Sequence, residues 1–283
     1  MSDFFQSIID WIVSLFGGAS DPKAIEVTGP VCMPLFYLNA EGKMDSTWNY
    51  LSKSPEARNF CRDHVKSVTV DGEQPAIAFL LSSSGNDGGI FSTFPTLNQP
   101  NLDDAKNSII ELLDDDIAAF GCLYTDDANP RWWAIGNVVE SWKIVNDNIG
   151  ELLSGVFLSI ETYQYTKSLN QMQECIDIMR STMPGIRYYG THLEWNAKSD
   201  ISPYRWLGES STPVNADIIL VELWQPQSGD SRGVQGVKIL YSDIVEREPN
   251  KKLIIQEYNF NPNGDTCRQQ REWLRNQKPF GVG

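Results

Sequence analysis

Short, nearly continuous apolar runs alternate with longer amphipathic stretches along most of this 283-residue chain. Apolar runs of this kind are typical of strands buried on both faces, as in a parallel sheet that is covered by helices. We expect seven such strands, at residues 30–38, 76–84, 118–127, 155–163, 187–195, 217–224 and 252–260. The helical stretches between and after them lie at residues 47–65, 101–116, 130–149, 168–185, 233–249 and 265–277.

No Gly-x-Gly-x-x-Gly or Walker-type loop follows any of these strands, so a nucleotide-binding, doubly wound sheet lacks its main support. A chain of this length fits a (β/α) barrel, which commonly uses about 250 residues as one domain. We therefore predict an α/β fold of the TIM-type (β/α)-barrel class, with an N-terminal amphipathic helix and room for an incomplete or irregular eighth unit. An eighth strand would lie at residues 24–29 or 67–72, or would be absent.

The first 18 residues form a segment of their own. Their apolar residues recur at helical spacing opposite polar ones, and Gly17-Gly18 ends the pattern. The segment is too short to cross a bilayer, and it lacks the basic residue that precedes the apolar run of a signal peptide. We predict an amphipathic docking helix at 1–18, a linker at 19–29 and a barrel domain at 30–283. The helix would either pack on its own barrel or bind a partner, and the absence of lysine or arginine before Lys23 favours a protein partner over an anionic membrane.

The charge and cysteine content exclude several classes of partner and site. The net charge of −14 opposes binding to the phosphate backbone of nucleic acid, and no basic stripe counteracts it. The five cysteines are scattered and contain no Cys-x-x-Cys pair, which favours free thiols in a reducing compartment over disulfides or a zinc site. Two histidines are too few for a histidine-rich metal centre. We expect cytoplasmic synthesis, with assembly into a larger particle or complex left open.

Five of the seven predicted strands turn from apolar residues to a carboxylate beside an aromatic residue where they end. Because all carboxyl ends of a parallel barrel open onto one face, these acids would converge there. Like charges at short range raise one pKa and leave another low, which yields the acid and the base that glycoside hydrolysis requires. The converging acids are Asp126, Asp127, Glu161, Glu194, Glu222 and Glu257, and the aromatic neighbours are Tyr124, Tyr163, Trp195, Trp224 and Tyr258.

At these strand ends the sequence resembles the barrel glycoside hydrolases whose acid/base glutamate ends the fourth strand and whose nucleophilic glutamate ends the seventh. Glu161 in "SIETY" and Glu257 in "IQEYNF" take those two places in the predicted strand order. Ile160 stands where that family most often has an asparagine, and a different strand count would pass the acid role to "YTDD" at 124–127. The resemblance implies hydrolysis of a glycosidic bond without a cofactor or a metal. The residues expected to bind the carbohydrate are Asp126, Asp127, Tyr163, His192, Glu194, Trp195, Glu222, Trp224 and Tyr258.

Other interpretations stay open. A barrel without catalysis, serving as a binding or structural module docked through residues 1–18, would have the same strand pattern, since fold does not imply function. A divalent metal bound by the carboxylates is a third interpretation. His192 shares a strand face with Glu194 and would either hydrogen-bond a sugar or serve a structural role. The separation of the Glu161 and Glu257 carboxyl groups would discriminate, at about 5–5.5 Å for a retaining and about 6.5–9.5 Å for an inverting glycosidase.

Deletion of residues 1–18 should leave the barrel folded and change its association. The reason is that the segment carries a one-sided apolar stripe and is followed by a linker that is expected to be flexible. Gel filtration and partner pull-down of the truncated chain, beside the full chain, measure this. An insoluble or unfolded product would show that the helix is part of the core.

Overall fold

The computed structural model describes residues 22–36, 55–82, 99–124, 135–158, 169–195, 215–225, 233–259 and 264–283. Its strands are β1 (Val31–Cys32), β2 (Leu35–Phe36), β3 (Gln74–Ser82), β4 (Ala118–Tyr124), β5 (Gly155–Leu158), β6 (Tyr188–Trp195), β7 (Ile218–Gln225), β8 (Lys252–Asn259) and β9 (Gly281–Val282). Its helices are α1 (Pro55–Val68), α2 (Gln99–Asp114), α3 (Ile135–Ile149), α4 (Leu169–Thr182), α5 (Gly233–Arg247) and α6 (Gly264–Asn276), with a 3-10 turn at Gly150–Leu152. The predicted helix at 1–18 lies outside the described residues, so the proposed domain boundaries stay predictions.

The strands close into a barrel in which every neighbouring pair is parallel. Both β1 and β2 pair with β3, so they are two segments of one barrel strand, interrupted at Met33-Pro34. β9 pairs with β8 on one side and with β1 on the other, which joins the last strand to the first. The described strands therefore form a closed, eight-stranded parallel barrel of the TIM type, and the predicted fold class is confirmed.

The eighth barrel strand is β9, so its predicted placement at 24–29 or 67–72 is wrong. Residues 24–29 contain no strand, and residues 67–72 run from the end of α1 into the turn before β3. β9 is two residues long, begins with Gly281 and is followed by Gly283, because β1 approaches it closely. A Cβ on Gly281 would lie 2.4 Å from Val31 Cγ2, and one on Gly283 would lie 2.3 Å from the Met33 carbonyl oxygen. The sequence of β9 therefore contains glycine and lacks the apolar run by which the other strands were predicted.

Alternation along the strands separates two apolar layers. The layer between the barrel and the helices draws on helical positions i, i+3 and i+7, as with Trp142, Val145 and Ile149 of α3. The interior layer fills the barrel itself. Besides Met33, at the interruption of the first strand, it contains the strand residues Val31, Ala76, Ala78, Ala118, Phe120, Cys122, Phe157, Tyr188, Ile218, Leu220 and Ile254.

Residues 24–29 fill the barrel at the amino ends of its strands. Val27 is fully buried in the interior layer, and its carbonyl oxygen accepts a 2.7 Å hydrogen bond from the hydroxyl of Tyr188, at the start of β6. The side-chain oxygen of Gln74, at the start of β3, accepts a 2.9 Å hydrogen bond from the backbone N–H of Thr28. Because residues 24–29 occupy the amino end, we expect a ligand to approach the interior from the carboxyl end.

Four of the cysteines are buried free thiols, as predicted: Cys32, Cys61, Cys122 and Cys175. Burial raises the pKa of Cys61 and of Cys175 to about 12, because desolvation penalises the thiolate. Thiols that stay protonated are poor nucleophiles and poor metal ligands. Within the described residues, no helix combines the length and the apolarity that crossing a bilayer requires.

Gly190→Ala should destabilise the barrel by about 1–3 kcal/mol, the range typical of an overpacked core. The new methyl group would lie 2.4 Å from the Ile218 carbonyl oxygen and 2.9 Å from Phe157 Cδ1. Gly185→Ala is the matched control, because nothing lies within 4 Å of its Cβ position. Urea denaturation of both variants measures the difference. Equal midpoints for the two variants would contradict the tight contact between β5, β6 and β7.

Candidate functional site at the carboxyl ends of the strands

Apart from His192, the predicted site residues with described backbone positions lie at the carboxyl ends of β6, β7 and β8. These residues are Glu194 and Trp195 in β6, Glu222 and Trp224 in β7, and Glu257 and Tyr258 in β8. Asp126, Asp127, Glu161 and Tyr163 lie outside the described residues, and their roles stay predictions.

The strand register places Glu194, Glu222 and Gln256 side by side. Glu194 is the register partner of Glu222, and Glu222 is the partner of Gln256. Each lies an even number of positions after an interior-layer residue of its own strand: Tyr188, Leu220 and Ile254, respectively. Strand alternation therefore assigns all three positions to the interior side of the barrel, which is called interior parity here. Adjacent strands lie about 4.8 Å apart. The three backbone positions therefore form one row at the carboxyl end of the barrel, called here the acid row.

Glu257 has the opposite parity. It follows Leu253 and Ile255, which belong to the layer between barrel and helices, and its register partner is Leu223. Trp195 is also a partner of Leu223. In a regular strand, alternation assigns such positions to the helix-facing side. The register thus favours Glu222 over Glu257 as an acid on the barrel side. The prediction of Glu257 rests on the strand ends alone, because parity is set by the register.

His192 lies one row nearer the amino end than the acid row. Its side chain is 1% exposed, and its Nδ1 lies 3.5 Å from the Sγ atom of Cys122. Cys122 belongs to the interior layer on β4. The pair therefore forms part of the packed floor below the acid row. A contact between His192 and a sugar stays a prediction.

Gln256, the register partner of Glu222, is not among the residues that the sequence predicted for the site. The residue is 4% exposed, and its Nε2 donates a 3.0 Å hydrogen bond to the Met33 carbonyl oxygen. That carbonyl lies at the interruption between β1 and β2, so the amide joins β8 to the first barrel strand. Within the described chain, Gln256 Oε1 has no hydrogen-bond partner. The sequence signal for this residue is its parity, because it is an amide two positions after the interior residue Ile254.

The described part of the chain buries no lysine or arginine. The ion pairs of Arg275 with Glu73, at 2.9 Å, and of Arg180 with Asp217, at 2.7 Å, lie at the amino ends of β3 and β7. These pairs stabilise the end of the barrel opposite to the acid row. No buried cationic side chain of the described chain therefore offsets the charge of the two glutamates.

The fold is similar to that of several solved enzyme structures. The AHE enzyme from Alicyclobacillus herbarius aligns over 92% of this chain and 89% of its own, with a TM-score of 0.57 and 12% identity. The GH1 β-glucosidase from Exiguobacterium antarcticum B7 aligns over 92% of this chain and 88% of its own, with a TM-score of 0.56 and 10% identity. The family 1 β-glucosidase from Thermotoga maritima aligns over 93% and 88%, with a TM-score of 0.53 and 12% identity. No family model matches the sequence, and no curated protein matches it significantly.

Similarity at these identities concerns the fold. The chain shares with two β-glucosidases the TIM-type barrel over most of both chains. These comparisons therefore establish the TIM-type barrel, and the assignment of function depends on the site.

Proposed function

We propose that this chain is a glycoside hydrolase-like protein that binds a carbohydrate at the carboxyl end of its barrel and cleaves a glycosidic bond there. The observation that carries the proposal is the acid row. Two glutamates take partnered positions of interior parity on adjacent strands, at the end of the barrel opposite to residues 24–29. The similarity of fold to β-glucosidases supports the same class of function.

Glutamates at such positions suit the chemistry of glycoside hydrolysis. The reaction needs one carboxylic acid that protonates the leaving oxygen and one carboxylate that attacks the sugar or activates water. Two carboxyl groups held close together do not ionise at the same pH, which supplies one protonated and one ionised form. The register therefore favours Glu194 and Glu222 as the reacting pair.

The strand order supports a second pairing. Glu161 follows the fourth barrel strand, β5, and Glu257 lies near the end of the seventh, β8. These are the places of the acid/base and the nucleophile in the family that the sequence resembles. The parity of Glu257 argues against this pairing. Variants at all four glutamates distinguish the two pairings.

Aromatic residues extend the proposal to substrate binding. Trp224 and Tyr258 are register partners, one step beyond the acid row and with the same parity. Aromatic side chains commonly line ligand pockets and offer a flat apolar surface to a ring. The remaining candidate contacts to the sugar are Asp126, Asp127, Tyr163, His192 and Trp195.

A non-catalytic carbohydrate-binding barrel is the second candidate. The parity of Glu257 favours this non-catalytic module. Glu257 takes the place of the nucleophile in the resembled family, and strand alternation assigns that position to the helix-facing side. Such a module would bind sugar through the acid row and the aromatic residues without turnover.

A panel of nitrophenyl glycosides, assayed with the wild-type chain and with single Glu→Gln variants, tests the proposal. Glu194→Gln and Glu222→Gln should each lower kcat/KM by about 10²–10⁴-fold, the usual contribution of a general acid or base. Glu257→Gln should keep a kcat/KM close to that of the wild type, because strand alternation assigns its position to the helix-facing side. Glu246→Gln is the control for loss of one charge, since Glu246 is exposed on α5.

The opposite pattern, with Glu161→Gln and Glu257→Gln inactive and the acid-row variants active, would establish the strand-order pairing instead. Sugar binding by calorimetry with no turnover of any glycoside would establish the non-catalytic module. A chain that neither binds nor hydrolyses any member of the panel would refute the carbohydrate proposal.

A further inference from the structure

We propose that residues 1–18 of one copy of this chain dock as a helix on the outer surface between α6 and α1 of a second copy. This surface, called here the seam groove, lies outside β9 and β1 and is lined by Phe60, His64 and Arg271. The interaction goes beyond the proposed carbohydrate function and does not depend on it.

The outer ring of helices has no described member at this place. In a (β/α) barrel each strand is normally followed by a helix that packs on the outside of the sheet. Among the described elements, the strands without such a helix are β6 and β9. Residues 196–217 connect β6 to β7 and belong to the first of these places. β9 is followed by Gly283 and by no helix of the described chain, so a helix from elsewhere in the sequence suits the second.

Helix α1 presents an exposed aromatic ring to the seam groove. Arg58 pairs with Glu111 of α2 at 2.9 Å, and Cys61 is buried against the barrel, which defines two faces of α1. Phe60 and His64 lie one turn apart on the remaining side, toward α6. Their rings stack with centroids 6.1 Å apart, and Phe60 is 54% exposed. The ring is thus available to a partner that packs against α1.

Helix α6 supplies positive charge to the same groove. Arg268, Arg271 and Arg275 follow each other at helical spacing, so they share one face of α6. Arg275 donates a 2.6 Å hydrogen bond to the Val68 carbonyl oxygen at the end of α1, which shows that this face is turned toward α1. Burial and then the charge of Arg271 lower the pKa of His64, which places Arg271 beside α1 as well. The seam groove is therefore basic, although the net charge of the chain is −14.

The N-terminal segment is complementary to this groove. It carries the acidic residues Asp3 and Asp10, and the first basic residue of the chain is Lys23. Its apolar stripe consists of Phe4, Phe5, Ile8, Ile9, Ile12, Leu15 and Phe16. An acidic helix with an apolar stripe suits a surface that offers an exposed aromatic ring and arginines, because opposite charges across an interface select the partner.

The position of residues 24 and 25 indicates that the groove belongs to a second copy. The backbone N–H of Ala24 donates to the Glu151 carbonyl oxygen at 2.8 Å, and the hydroxyl of Ser154 donates to the Ile25 carbonyl oxygen at 2.8 Å. These contacts hold the chain under β5, the fourth of the eight barrel strands. In a closed barrel this strand lies opposite to the seam between the eighth strand and the first.

The linker is too short to reach the seam groove of its own copy. The six peptide steps from residue 18 to residue 24 span at most about 21 Å. Eight tilted strands form a barrel about 15 Å wide, and an outer helix axis lies about 10 Å beyond the wall. The opposite helix position is therefore about 25 Å from Ala24. Two copies that exchange their segments avoid this limit and close a symmetric dimer.

Sedimentation equilibrium of the full chain tests the association. We expect a monomer–dimer equilibrium whose dissociation constant rises at least about tenfold in Ile8→Asp, because this variant places a charge within the apolar stripe. Ser7→Asp adds the same charge to the polar side of the segment and should dimerise as the wild type does. A full chain that stays monomeric up to about 100 μM would refute the proposal.

Substitutions in the groove locate the contact. Phe60→Ser and Arg271→Gln should each weaken the dimer at least about tenfold, because they remove the exposed ring and the charge that meet the segment. The matched controls are Ile239→Ser on α5, where the side chain is 39% exposed, and Lys143→Gln on α3, where it is exposed. Both controls should dimerise as the wild type does. Circular dichroism verifies the fold of each variant, and Arg271→Gln is sufficient if Phe60→Ser does not fold.

A mixture of two variants shows whether the segment of one copy meets the groove of another. Ile8→Asp keeps an intact groove, and Arg271→Gln keeps an intact segment. Mixed at a concentration at which each alone is monomeric, with a fluorescent label on one of them, they should form a heterodimer, because one complete contact is restored. A mixture that stays monomeric would overturn the exchange of segments, as would a wild-type dimer that Ile8→Asp and Arg271→Gln leave unchanged. None of these readouts involves a glycoside, so failure here leaves the proposed function to its own assay.

Discussion

Closure of the barrel by two short segments is the constraint on which the rest of the structure depends. The backbone N–H of Met33 donates to the Val282 carbonyl oxygen at 3.0 Å, and the N–H of Gly283 donates to the Ile255 carbonyl oxygen at 2.9 Å. Without these bonds, β1 and β8 would have open edges with unpaired backbone groups. Closure also fixes the register of all the strands, and the register decides which side chains fill the barrel and which meet the helices.

The two ends of the barrel then differ in their tasks. The amino end is filled by residues 24–29 and braced by ion pairs such as Arg275 with Glu73. The carboxyl end holds the acid row, where two glutamates and a buried amide with one unpartnered oxygen lie on three adjacent strands. The ion pairs that brace the barrel thus lie at the end opposite to the acid row. This is the usual division in barrels of this type, whose sites lie at the carboxyl face.

Sequence alone predicted the closed α/β architecture, because long apolar runs bounded by turns are a strong local signal for buried parallel strands. It did not predict β9, whose glycines are required by the close approach of Val31 and Met33 and carry no apolar signal. It did not predict the filling of the amino end either, since Val27 and Tyr188 meet across 161 residues of sequence. The sequence shows which strands end in acids, but the parity of these acids requires the register. This is why Glu257 was preferred to Glu222, and why Gln256 was overlooked.

A crystal structure of the chain soaked with a glucose-type iminosugar tests the central claim, that ligands bind at the acid row, most directly. The amine of an iminosugar carries a positive charge at neutral pH, which suits a site with two carboxylates and no buried cationic side chain in the described chain. The account predicts that the ring lies in the mouth of the barrel, with Glu194 or Glu222 within hydrogen-bond distance and Trp224 or Tyr258 beside it. An iminosugar bound elsewhere, or Glu194 and Glu222 both on the helix side of the barrel wall, would contradict it.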